Sequence, residues 1–145
     1  GLRIGFSAAK GIAYGANLPI IPVPTYEAFA LQLLSVLKEN DEFIISNRVN
    51  KDEVYFTRFQ IRGNNYIFAE ELTILTKELF VKKSEGYQVF GNSFVLLGRP
   101  GKYPSVPDPL FIAKWALELG HGRKTFNYDF IEPNYLKDFK IKRIQ

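Results

Sequence analysis

Three strand-like runs in the middle of the sequence limit the folds open to this 145-residue chain more than any other feature. The runs cover residues 42–49, 54–61 and 66–69. A tight polar connection, 50–52, joins the first two, and Gly-Asn-Asn at 63–65 joins the next two, which is a strong hairpin signal. The pattern therefore predicts an antiparallel meander of three strands.

Helical patterns stand on both sides of the meander. A stripe of apolar residues predicts a helix over residues 25–38, with Thr25 as its N-cap. A short helix is expected within 73–83. A last helix is expected after an Asp108 N-cap, because Pro109 then occupies the first helical position, where proline is favoured.

Two further buried strands are expected at residues 87–90 and 94–97. Three antiparallel strands followed by alternating helix and strand favour a mixed sheet with helices packed on it. The predicted fold class is therefore α/β, with the ribonuclease-H-like arrangement that actin-like proteins duplicate.

The first sixteen residues predict a helix with two stripes. At about 100° per residue, small residues fall on one line, which consists of Gly1, Gly5, Ala8, Ile12 and Gly15. The adjacent apolar line consists of Leu2, Phe6, Ala9 and Ala13. Each glycine weakens a free helix by about 1 kcal/mol against alanine, so we expect close packing on both sides. A sheet-covering helix and a protein–protein interface both fit, and the pattern alone does not choose.

Composition excludes several kinds of site. The chain has no Cys, so disulfides, zinc thiolate sites and a Cys nucleophile are excluded, and its single His excludes a site that needs two. The longest uncharged run, residues 11–26, contains three prolines and cannot span a bilayer. No signal-peptide pattern opens the sequence, which favours a cytoplasmic protein. The sequence begins with Gly instead of Met, so we expect a processed or truncated piece.

Positive charge is concentrated near the end of the chain. Residues 137–143 hold four basic side chains and one acidic one, which accounts for most of the net charge of +4. Such a tail could neutralise nucleic-acid phosphates, or it could be a solvated terminus. The sequence leaves both readings open.

Three motifs resemble the TsaB (YeaZ) family. Residues 1–25 resemble its G-[LV]-R-I-G helix, which leads into A-[KQ]-G-[LI]-A and a P-[LM]-I strand. Glu53-Val54-Tyr55 resembles its G-E-V-Y strand, and residues 132–137 resemble its terminal P-x-Y-L-R. The resemblance implies an actin-like fold of two related domains. Residues 1–17 would be the last helix of a mostly missing first domain, and 18–145 the second domain.

The related TsaD family carries two metal-binding histidines after the same helix. In the register of that motif the two positions are Thr25 and Phe29, neither of which serves as a useful ligand. The resemblance to TsaB therefore implies a non-catalytic protein without catalytic, metal or cofactor-binding residues. The alternative is a metal-dependent transferase or glycoprotease-type peptidase of the TsaD kind.

The TsaB resemblance implies a role in making threonylcarbamoyladenosine in tRNA. TsaB pairs with the catalytic subunit TsaD in a complex that also uses the ATPase TsaE, and it pairs with itself when TsaD is absent. Contact with tRNA would occur only through the complex. The interface expected here is a face of the first helix, formed by Leu2, Arg3, Phe6, Ser7, Lys10 and Ala13.

No other segment predicts a catalytic site. The turn at residues 46–53 departs from the D-A-R-x-G-E-V-Y of TsaB proteins, with Ser46 for the Asp and Asp52 for the Gly, so a charged hairpin is favoured over a phosphate nest. His121 follows a helix end without a marked partner, and no paired carboxylates or G-x-S-x-G elbow appear.

Overall fold

The computed structural model describes residues 1–98 and 104–136. Its helices and strands are α1 (Leu2–Gly15), α2 (Thr25–Leu33), β1 (Glu42–Arg48), β2 (Glu53–Arg62), β3 (Asn65–Thr76), α3 (Lys77–Lys83), β4 (Gln88–Phe90) and α4 (Pro109–Glu118). Short 3-10 helices occupy Asn92–Leu97, His121–Arg123 and Tyr128–Phe130. The basic tail predicted at 137–143 lies outside the described residues.

The chain divides into two compact units. The sheet unit is Val23–His121, and it contains every strand and the helices α2, α3 and α4. The terminal unit combines Gly1–Pro22, which contains α1, with the described residues that follow from Gly122.

The sheet has four strands in the order β3-β2-β1-β4. β1 pairs with β2 and β2 with β3 in antiparallel register, whereas β4 runs parallel to β1. The predicted meander and mixed sheet are therefore confirmed.

Each face of the sheet carries its own apolar core, because side chains along a strand alternate between the faces. Phe43 and Ile45 of β1 point to the face that α2 and α4 cover, where Trp115 of α4 is also buried. Ile44 joins the other core, which includes Phe80 of α3. The predicted cover by α2 and α4 is confirmed, with α2 shorter than expected.

α2 ends at Leu33, so the predicted end at residue 38 is wrong. The carbonyl of Leu33 accepts from the N–H groups of both Val36 and Leu37, which closes a turn in place of further helix. The predicted cap is also wrong by one position. Pro24 is the N-cap, and Thr25 is the first helical residue.

Two predicted strands need correction. The third strand of the meander, predicted to end at residue 69, continues to Thr76. The short helix predicted within 73–83 is confirmed as Lys77–Lys83, and the Thr76 hydroxyl accepts from the N–H of Leu79 at 3.4 Å. The predicted strand at 94–97 is a 3-10 helix, since the chain turns at Gly91, whose φ is 93°. The last helix is confirmed: Asp108 Oδ1 accepts from the N–H of Leu110 at 2.8 Å.

Candidate partner-binding helix

The residues predicted to meet a partner are distributed unequally around α1. Leu2, Arg3 and Ser7 are exposed. Phe6 and Lys10 are half-buried, and Ala13 is buried. The predicted set therefore lies partly on a side of the helix that the terminal unit itself covers.

Residues 122–136, here called the strap, cover that side of α1. Ile20, just after the helix, forms an antiparallel bridge with Thr125, with N–H to carbonyl distances of 2.9 and 3.0 Å. The Tyr128 ring meets the Tyr14 ring edge-on at 5.7 Å between centroids. These contacts fix the C-terminal end of the helix against the strap.

Tyr128 makes further contacts at this end of the helix, and Tyr135 contacts the opposite end. The Tyr128 hydroxyl donates to the carbonyl oxygen of Leu18 at 2.8 Å and lies 3.5 Å from that of Ala13. The Arg3 guanidinium lies 5.5 Å from the ring centroid of Tyr135, within the range of a cation–π contact.

The opposite side of α1, here called the open face, is apolar and exposed. Ile4 and Ile12 are 75% and 71% exposed. A Cβ added at Gly5 would meet no atom within 4 Å, so nothing in the described chain packs closely there. Leu2 and Ser7 lie between this face and the side that the strap covers, at the angles of an α-helix.

Thr25 and Phe29, which occupy the histidine positions of the TsaD motif, do not face a common site. Thr25 is exposed in the first turn of α2. Phe29 is 1% exposed and packs edge-on against Phe90, with 6.4 Å between ring centroids. His121 opens a 3-10 helix beyond α4. Among the described residues, no group of three His, Asp or Glu side chains is arranged to hold a metal ion.

The end of β1 is joined to the segment that follows β4 by a reciprocal pair of asparagines, which the sequence analysis did not identify. Asn47 Oδ1 accepts from the N–H of Asn92 at 2.9 Å, and Asn92 Oδ1 accepts from the N–H of Arg48 at 2.7 Å. Asn47 Nδ2 also donates to the Tyr26 hydroxyl at 3.3 Å, while burial raises the pKa of Tyr26 to about 12. The sequence offered one signal for this pair, which is the asparagine directly after Gly91.

The sequence analysis also did not identify a cluster of charged residues on the sheet. Arg58 lies 3.3 Å from a carboxylate oxygen of Glu42 and 3.0 Å from one of Glu70, and it contacts the Tyr87 hydroxyl. Lys83 pairs with Glu70 as well. Two bases and two acids balance each other, which fits a structural network better than a site for a charged ligand. Strand pairing creates it, since Arg58 and Glu70 are register partners.

None of the helices in the described part of the chain combines the length and the apolar character that crossing a membrane requires.

Comparison with known proteins identifies relatives. A family model described as "TsaD: tRNA N6-adenosine threonylcarbamoyltransferase" matches residues 1–102. The "tRNA threonylcarbamoyladenosine biosynthesis protein TsaB" of Haemophilus influenzae is 34% identical over 154 residues, which cover 95% of this chain. The match spans 65% of that relative, so this chain corresponds to a little under two thirds of its length.

Two solved structures share the fold. YeaZ from Pseudomonas aeruginosa matches 93% of this chain with a TM-score of 0.71 and 16% identity, and the match covers 68% of that structure. A crystal structure described as an uncharacterized protein with similarity to peptidase YeaZ from Pseudomonas aeruginosa matches 94% of this chain, with a TM-score of 0.70 and 19% identity, and the match covers 68% of that structure. At these identities the likeness shows the fold, which confirms the predicted actin-like, ribonuclease-H-like class.

Proposed function

The chain belongs to the TsaB (YeaZ) group of the tRNA N6-adenosine threonylcarbamoyltransferase family, and from this premise we propose that it acts as a non-catalytic subunit in threonylcarbamoyladenosine biosynthesis. It binds a TsaD-like catalytic subunit and supports its transfer reaction on tRNA. It needs no cofactor of its own, and it contacts tRNA only through the complex. Because tRNA is the substrate, we place the complex in the cytoplasm.

The burial of Phe29 is the observation that carries the non-catalytic role. The match to the TsaD family model favours a metal-dependent transferase as the second candidate. In that register Phe29 replaces a ligand, and its ring is packed in the core between α2 and the sheet. A histidine there would have to bury its polar ring nitrogens in an apolar environment, which costs free energy without a partner. The position is therefore used for packing.

The partner surface is proposed on the exposed side of α1. Leu2 and Ser7 from the predicted set border the open face, and Ile4 and Ile12 fill it. Burying an isoleucine side chain in a complex is worth roughly 1.5–3 kcal/mol before ordering costs. Small residues between the isoleucines permit close approach of a second helix. A TsaE-like ATPase joins the complex, and a second copy of this chain uses the same helix when the catalytic subunit is absent.

Binding to the TsaD-like subunit of the same organism tests the proposal. Titration calorimetry on the wild type should give a saturable heat, and Ile4→Glu should weaken affinity at least tenfold, since it forces a charge into a buried apolar contact. Leu2→Glu tests the border of the face in the same way. Val36→Glu is the matched control, because Val36 is an apolar residue of the sheet unit whose exposure, 66%, lies between those of Leu2 and Ile4.

One result would contradict the interface on α1, and another would favour the metal-dependent transferase over a non-catalytic subunit. Unchanged affinity in both α1 variants, with the wild type binding normally, would place the interface elsewhere. Stoichiometric zinc or iron in the purified wild type, by elemental analysis, would favour the metal-dependent transferase.

A further inference from the structure

The strap runs antiparallel to α1 along its length. Its contacts occur in reverse order: Thr125 meets Ile20 beyond the helix, Tyr128 meets Tyr14 near its end, and Tyr135 meets Arg3 in its first turn. The eleven residues from Thr125 to Tyr135 therefore reach from one end of the fourteen-residue helix to the other. A segment placed in this way can hold the helix at both ends.

α1 obtains little stability from its own sequence. Its N-cap is Gly1, which makes no side-chain capping bond, and neither an acidic residue in the first turn nor a basic residue in the last turn complements the helix dipole. Gly5 and Gly11 lower its intrinsic helix propensity. A helix of this length and composition is marginal in water without tertiary contacts.

The contacts of the strap lie on one side of α1. Arg3 and Tyr14, which the strap touches, share a helical face with Phe6, Lys10 and Ala13, and these three are the residues of α1 with reduced exposure. The described residues of the strap lie on the side of α1 opposite the open face.

We infer that the strap positions α1 for partner binding, and that Tyr128 and Tyr135 are its positioning residues. Neither residue touches the partner. Tyr128 secures the last turn through its hydroxyl and its ring, and Tyr135 secures the first turn through the guanidinium of Arg3. The inference rests on the proposed function only in taking α1 as the partner-binding helix.

Hydrogen exchange of the chain alone tests the strap. The N–H of Leu18 bonds the carbonyl of Ala13 at 2.8 Å and reports on the end of α1. Tyr128→Phe removes the hydroxyl bond but keeps the ring, so exchange there should accelerate roughly three- to tenfold, and Tyr128→Ala should accelerate it further. Tyr135→Leu should instead accelerate exchange at the N-terminal end of the helix.

Phe130→Ala is the matched control, because this large aromatic of the strap is 83% exposed. Exchange in α1 should stay at the wild-type rate in that variant, and β1 should keep its protection in all variants. Equal α1 exchange in the wild type, Tyr128→Ala and Tyr135→Leu would overturn the inference.

Affinity for the TsaD-like subunit provides the second measurement. Tyr128→Ala should weaken binding roughly fivefold or more while the sheet unit remains folded, and Phe130→Ala should bind normally. Faster α1 exchange with unchanged affinity would overturn the positioning role. If the wild type does not bind the subunit, the proposed function fails, and the exchange experiment still decides whether the strap holds α1.

Discussion

Gly91 lies directly against the backbone of Ser46. A Cβ at this position would lie 2.2 Å from the carbonyl oxygen of Ser46, and the backbone has φ 93° and ψ −169°, a region that only glycine enters readily. The close approach brings Asn92 within reach of Asn47 and Arg48. One glycine therefore allows the asparagine pair to form.

Substitution of this glycine should be far more destabilising than substitution of a turn glycine. Gly91→Ala should lower the free energy of unfolding by more than about 3 kcal/mol, since the clash adds to the strain. Gly63→Ala is the control: its φ is 59° and no atom lies within 4 Å of the added Cβ, so about 1–2 kcal/mol is expected. Urea unfolding measures both values. Equal losses would show that the contact with Ser46 is not constraining.

Tyr26 should make stability depend on pH in the alkaline range. Burial raises its pKa to about 12, against about 10 in an unfolded chain. The contribution of protonated Tyr26 to the free energy of unfolding is therefore complete below pH about 10. It is lost as the pH rises toward 12, by at most about 2–3 kcal/mol. The free energy of unfolding of the wild type, relative to Tyr26→Phe, should fall across this range. Parallel profiles for the two proteins would contradict this assignment.

At the scale of elements, α4 shows what local sequence can specify. Asp108 and Pro109 mark its beginning, and both signals act within one helical turn. Asp108→Ala should lower the free energy of unfolding by about 0.5–2 kcal/mol, while Asp108→Asn, an equally good cap, should retain most of it. Thermal or urea denaturation of the two variants measures the difference. Equal losses would show that the carboxylate acts by charge instead of by capping.

Other elements depended on distant contacts that the sequence could not show. Phe94 to Leu97 has a strand-like composition, but the turn at Gly91 and the bond between Asn92 and Asn47 convert the segment to a 3-10 helix. The packing of the strap on α1 could likewise not be predicted from the sequence, because Tyr128 and Ala13 are 115 positions apart. Predictions held where neighbouring residues decide conformation, as in the meander and α4.

At the scale of the whole molecule, the two units carry different parts of the account. The sheet unit explains the fold and the core position of Phe29, whereas the terminal unit presents α1 and its open face. The sequence analysis placed the interface on a face of α1 that includes Phe6, Lys10 and Ala13, which the structure places on the side that the strap covers. The sequence could not show this cover, because the strap comes from the other end of the chain. The predicted division at residues 17 and 18 stays a prediction.

The central claim is that this protein supports threonylcarbamoyladenosine formation by binding a partner, without chemistry of its own. Mass spectrometry of tRNA nucleosides after incubation with a threonylcarbamoyl donor tests it most directly. The protein alone should give no product, and addition of the TsaD-like subunit and the TsaE-like ATPase with ATP should give product with the wild type and much less with Ile4→Glu. Modified adenosine formed by the protein alone, or equal product with Ile4→Glu, would contradict the account.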